Sequence, residues 1–202
     1  IFLRWDIFVI SIMVHDSLLI GYYSFAKNLI YRIRLIFAKL NTLLYPIFSE
    51  QDAASDIRVI NKLLKAGNII ALTFFVPLTL FIAIFTKEEI LLSTLFIEKM
   101  SLYIGASNIL SVFSLILIPY AINSAIVSYF NGIGEVDKLV IANSILLGTS
   151  LVLLPIMTLY LSIVGTAIAF VVSLYLRTFY WVLLTHKRVK LNFRKYLNTT
   201  IS

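Results

Sequence analysis

LVIANSILLGTSLVLLPIMTLYLSIVGTAIAFVVSLYL, residues 139–176, runs from Lys138 to Arg177 without one charged side chain. Two other stretches are equally free of charge, 66–86 between Lys65 and Lys87 and 100–134 between Lys99 and Glu135. A helix of about 20 apolar residues crosses the ~30 Å hydrocarbon core of a bilayer, and each stretch is at least that long. A soluble helix of this length would show polar residues on one face every few positions, and these stretches do not. The fold class expected is therefore all-α, a polytopic transmembrane helical bundle. The 139–176 stretch also has to fold back, because one straight helix of that length would measure about 57 Å. The segment Tyr160 to Gly165 is the expected turn.

Composition agrees. Hydrophobic residues make up 60% of the chain and charged ones 13%, against about 25% charged in an ordinary globular domain. The net charge of +7 belongs in loops facing anionic headgroups, not on a nucleic acid. With no cysteine, disulfides and thiolate sites are excluded. The two histidines, His15 and His186, lack any H-x-x-x-H spacing, so neither a metal nor another cofactor is expected. The chain opens on Ile1 within an apolar stretch and stops at Ser202 after a basic segment. It reads as a fragment of a longer protein, with 1–202 one transmembrane domain and 186–202 a basic loop and truncated end.

Six spans are expected, near 3–20, 24–47, 66–86, 104–130, 139–160 and 164–184. The first turn is read at His15-Asp16-Ser17 to Gly21. Arg4, Arg58, Lys62, Lys65, Lys138, Lys187, Arg188, Lys190, Arg194 and Lys195 then fall on one side, and only Lys87 and Lys99 on the other. By the positive-inside rule the loops 49–65, 131–138 and 186–196 are cytoplasmic in a cell-membrane protein. Trp5, Tyr180 and Trp181 sit at that interface. Asn108, Asn123 and Asn143 are read as interhelical hydrogen bonds, and Pro77, Pro119 and Pro155 as kinks.

The second span carries Lys27, Arg32, Arg34 and Lys39. Insertion costs roughly 2.5–3.5 kcal/mol for each such cation near a helix centre, so the set cannot face lipid. At 100° per residue Lys27 and Arg34 share one face, and Arg32 and Lys39 another. Lys27 and Lys39 are near enough to the ends to snorkel; Arg32 and Arg34 are the best candidates for a water-filled cavity receiving an anion. Arg177, two turns from the end of the last span, is a further substrate-site candidate. An alternative topology makes 27–65 one cytoplasmic amphipathic region after a span over about 5–26. The uncharged run Leu40 to Ser49 weighs against it.

The runs Gly21-Tyr22-Tyr23-Ser24-Phe25-Ala26 and Tyr45-Pro46-Ile47-Phe48-Ser49-Glu50 come first in a longer series. Pro77, Asn131-Gly132-Ile133-Gly134 ahead of Lys138, and Gly165-Thr166-Ala167-Ile168-Ala169 follow. In this order the chain resembles the seventh to twelfth helices of the oligosaccharide flippases of the polysaccharide biosynthesis family, relatives of lipid II flippases and multidrug exporters. Phe96-Ile97-Glu98 departs from the aromatic-glycine turn of that pattern. The resemblance implies one lobe of a flippase that is not an enzyme. Its implied partners are a lipid-diphosphate-linked oligosaccharide, the lipid bilayer and the missing N-terminal helices of the same transporter. It also implies a substrate-contacting arginine on the second span, Arg32 or Arg34. Two other functions stand beside it: a cation-coupled multidrug exporter of the same superfamily, and a membrane-bound glycosyltransferase with Glu50-x-Asp52 or Glu88-Glu89 as its only acidic candidates. The exporter would need a carboxylate within the membrane, and spans two to six contain none.

Overall fold

A computed structural model describes residues 5–54, 57–86 and 106–189. Arg4, Lys87, Glu88-Glu89, Phe96-Ile97-Glu98, Lys99 and the basic end 190–202 lie outside the described residues. The elements are α1 (Trp5–Met13), α2 (Ser17–Thr42), α3 (Leu44–Ala53), α4 (Ile57–Phe85), α5 (Ser107–Ser114), α6 (Leu117–Gly132) and α7 (Val136–Val189), with no strand among the described residues. By length and composition, three helical segments can cross a membrane: Ile57–Phe85, Ser107–Gly132 and Val136–Arg188. The chain is a helical membrane protein.

Proline explains where the helices differ from the expected spans. A proline ring collides with the carbonyl four residues earlier and offers no N–H to it. Pro46 stands four residues after Thr42, where α2 ends, so the expected span 24–47 is two helices, α2 and α3. Pro119 stands four residues after Leu115, where α5 gives way to α6. There the backbone tightens, with Leu115 N–H bonded to Val112 O and Ile116 N–H to Phe113 O. The Leu115 carbonyl freed by Pro119 accepts a hydrogen bond from Tyr175 Oη at 3.2 Å. Pro77 and Pro155, by contrast, lie within continuous α4 and α7.

Three further boundaries move. The first turn is at 14–16, not 15–21. Asp16 caps α2, its Oδ1 accepting from Leu18 N–H at 2.9 Å, which leaves one orphan donor fewer at that helix start; Gly21 is inside the helix. The loop expected over 49–65 is largely helical: α3 runs on to Ala53, and α4 begins at Ile57, burying Ile60 and Leu64 while Arg58 and Lys62 stay exposed. The loop expected over 131–138 contracts to a three-residue turn. Gly134 there adopts φ 75°, and Glu135 N–H reaches Phe130 O while Gly134 N–H reaches Asn131 O. This double closure ties off the last carbonyls of α6 and needs a left-handed residue between them, which glycine supplies without strain.

The 139–176 stretch folds back as its length requires. Ser162, at φ 52° and ψ −138°, breaks α7 into arms 136–161 and 163–189. The hydroxyls of Thr158 and Thr166 meet at 2.7 Å, and Arg177 Nη1 donates to Asn143 Oδ1 at 3.4 Å; both pairs would be far apart on a straight helix. Gly165 permits the close approach, since a Cβ there would fall on the Met157 carbonyl.

The α5–α6 segment is the centre, with 61% of its most apolar window buried, against 28% for α4 and 33% for α7. It packs against α2, α3, α4 and α7, while α1 lies on α7. One core gathers Ile10, Tyr23, Ile30, Phe75, Phe113 and Leu174. A second, at the end where α3, α6 and both ends of α7 meet, gathers Phe48, Ile60, Leu64, Tyr129, Phe130 and Trp181. Trp181 is thus a buried core residue, 1% exposed, and not an interfacial belt residue. That end is tied by Tyr129 Oη donating to Asp52 Oδ1 at 3.2 Å and by the Arg188–Glu135 ion pair at 2.8 Å. Outward lie Ile70, Phe74, Leu80, Phe81 and Ile84 of α4 and Val152, Leu159, Phe179 and Leu183 of α7. An apolar surface so continuous is disfavoured in water and suited to lipid.

Candidate functional site

The four cations of α2 part company according to helix face. Arg32 and Lys39 are exposed, whereas Lys27 and Arg34 are half-buried and face the bundle. Of the two arginines proposed for a cavity, Arg34 therefore lines one and Arg32 does not. Helical phase separates the pairs, but only packing decides which face turns inward.

Arg34 is held by aromatic rings. Its Nη1 donates to Tyr120 Oη at 3.2 Å, and its Cζ lies 4.2 Å from the Tyr120 ring centroid and 5.3 Å from that of Tyr31. Ring faces carry partial negative charge and hold a cation without neutralising it as a carboxylate would. Arg177, on the second arm of α7, comes to the same place, its guanidinium donating to Asn143. Its Nε is buried without a hydrogen-bond partner among the described residues. Lys27 pairs with Asp6 and Arg188 with Glu135, and among the described residues no acid pairs with Arg34 or Arg177.

Both arginines and Tyr120 line two adjoining cavities. The larger, about 440 Å³, is walled by Trp5 and Asp6 of α1, Asn143, Ser144, Leu147, Ser150 and Leu154 of the first arm of α7, and Phe170 of the second. The smaller, about 180 Å³, adds Tyr45, Asn123, Ser124 and Ser128. Asn123 Nδ2 donates to Thr178 Oγ1 at 2.8 Å, the interhelical bond its position implies, while Asn108 is exposed. The result is an apolar chamber with two guanidinium groups, the Lys27-paired Asp6 carboxylate and a few neutral hydroxyls and amides. In so poorly polar a setting a charge interacts far more strongly than in water, and guanidinium offers two parallel donors to a phosphate or carboxylate.

Lys27 does not snorkel to a surface. Its Nζ lies 2.7 Å from Asp6 Oδ1 and 2.6 Å from Oδ2, and 4.9 Å from the Phe170 ring centroid. Tyr23 Oη donates to Asp6 Oδ2 as well. Asp6 is thus a buried carboxylate that a survey of spans two to six passes over, because it lies in the first expected one. Its signal in the sequence was a lone acid in an apolar run, at hairpin distance from Lys27. Of the five site residues expected from sequence, the fold brings Arg34 and Arg177 together, engages Lys27 with Asp6, and leaves Arg32 and Lys39 on the outer face. Compared with known protein families, curated proteins and solved structures, the chain matches none.

Proposed function

We propose that this chain is one lobe of a flippase that moves a lipid-diphosphate-linked oligosaccharide across the cell membrane, with Arg34 and Arg177 receiving the diphosphate. One observation carries the proposal: two arginines with no acidic partner among the described residues converge on Tyr120 in a 440 Å³ chamber between membrane helices. Leaving two cations unneutralised at membrane depth is costly unless an anion is received there.

In this reading α2, α4, the α5–α6 segment and the two arms of α7 cross the bilayer, and α1 is the described part of the first of six spans. The basic residues Arg58, Lys62, Lys138, Lys187 and Arg188 lie with the α3 and α6 end, which faces the cytoplasm. The missing lobe completes the path, and rocking of one lobe against the other gives alternating access. A cation-coupled exporter would need an available carboxylate, and both oxygens of Asp6 are occupied by Lys27 and Tyr23. A glycosyltransferase finds little support either, since Glu50 is exposed and Asp52 accepts a bond from Tyr129 at the rim.

The test is export of surface glycan by Arg34→Gln and Arg177→Gln in the intact transporter, with membrane expression held equal. Each variant is expected to lose at least ~90% of export, since losing one charge-assisted contact is worth about 1.5–3 kcal/mol. Normal export by both would refute the anion-site proposal.

A further inference from the structure

We propose that Asp6 is a built-in counter-ion that masks Lys27, and that this pair sets how strongly the Arg34–Arg177 chamber attracts anions. The inference rests on the anion-site reading of that chamber. Asp6 forms part of the chamber wall together with both arginines. Its side chain is 1% exposed, and that of Lys27 is 12% exposed. Lys27 grips both carboxylate oxygens, and Tyr23 Oη donates to one of them.

Lys27 stands on the same face of α2 as Arg34, two turns away, or about 10 Å along the axis. Over that distance an ionic charge within a bundle is not screened as it is in water. While the pair is intact its two charges cancel, and an incoming anion meets only Arg34 and Arg177. Removing the Asp6 charge would expose a third cation; removing the Lys27 charge would leave a bare carboxylate facing the anion. Lys27 is therefore a positioning residue in the electrostatic sense: it makes the chamber positive by neutralising its one acid, without touching the ligand.

The roles separate by the sign of the change in affinity for inorganic diphosphate. Binding is measured by titration calorimetry on the intact transporter in lipid nanodiscs at fixed low salt. Asp6→Asn keeps acceptor and shape and is expected to bind about tenfold tighter; Lys27→Gln is expected to bind about tenfold weaker. The double variant Asp6→Asn/Lys27→Gln and the exchanged pair Asp6→Lys/Lys27→Asp, neutral in sum, are expected within about threefold of the parent. If Lys27 instead contacts the anion, the double variant will be as weak as Lys27→Gln, and the proposal fails. It fails equally if Asp6→Asn weakens binding, as a purely structural pair would require. The exchanged pair keeps the test decisive should a single variant not fold, because loss of affinity there overturns charge masking. Absence of diphosphate binding in the parent, or undiminished binding in Arg34→Gln, would remove the anion site itself, a result distinct from failure of the masking alone.

Discussion

Replacing Gly165 with alanine tests the α7 hairpin at its tightest point. A Cβ at residue 165 falls on the Met157 carbonyl oxygen, with the Met157 carbonyl carbon at 2.7 Å and Leu161 Cβ at 2.8 Å. Comfortable carbon–carbon contact is about 3.5–4.0 Å, so the arms must part by about 1 Å. The obstacle is backbone on the opposite arm, which has no rotamer to escape into. The 2.7 Å Thr158–Thr166 bond would then stretch beyond hydrogen-bond range. Overpacking costs about 1–3 kcal/mol and an interhelical hydroxyl bond in a membrane about 0.6 kcal/mol, which together give a loss of about 1.6–3.6 kcal/mol. The assay is an unfolding titration in mixed micelles, paired with disulfide trapping. Because the chain has no cysteine, Thr158→Cys/Thr166→Cys introduces the only thiols. Trapping should be rapid with Gly165 and slow with alanine. Parental stability together with parental trapping in Gly165→Ala would refute the closely packed hairpin.

Three other outcomes follow. Tyr175→Phe strands the Leu115 carbonyl that Pro119 has released and should cost about 1 kcal/mol in the same titration; no change would mean another donor serves that carbonyl. Gly134→Ala, at φ 75°, should cost about 1–2 kcal/mol through left-handed strain, and Gly134→Asn less, since asparagine tolerates that region. Cysteines at Ser17 and Lys62 should label from opposite sides of the membrane, position 17 in intact cells and position 62 only after permeabilisation; labelling of both from one side would overturn the alternating topology.

Much of this architecture follows from where charge is absent. The uncharged stretches mark α4, the α5–α6 segment and α7, because lipid tolerates no alternative to a long apolar helix. The reversal at Ser162 lies within Tyr160 to Gly165 for a geometric reason, since a bilayer limits helix length. Proline was the weaker guide. Pro46 and Pro119 stand where one helix gives way to the next while Pro77 and Pro155 sit inside continuous helices, and the residue type alone does not distinguish the two pairs. The candidate site was half legible. Spacing separates Lys27 and Arg34 from Arg32 and Lys39, yet the inward face is chosen by Tyr120 and Phe170, which arrive from distant sequence. Asp6 was hidden because its meaning depends on the register of the α1–α2 hairpin, which no local pattern encodes.

The tip of the α7 hairpin bears on how the chain enters its membrane. A ribosome-bound nascent chain that must thread a polar loop across lipid needs that loop desolvated, at a cost that grows with each charge. Here the tip is Leu159, Tyr160 and Leu161, 74%, 81% and 52% exposed, followed by Ser162. It carries no charged side chain, so its passage through hydrocarbon has no ionic cost, and its tyrosine suits a headgroup layer. The two arms can therefore enter as one hairpin, with no ionic group to desolvate at its leading end.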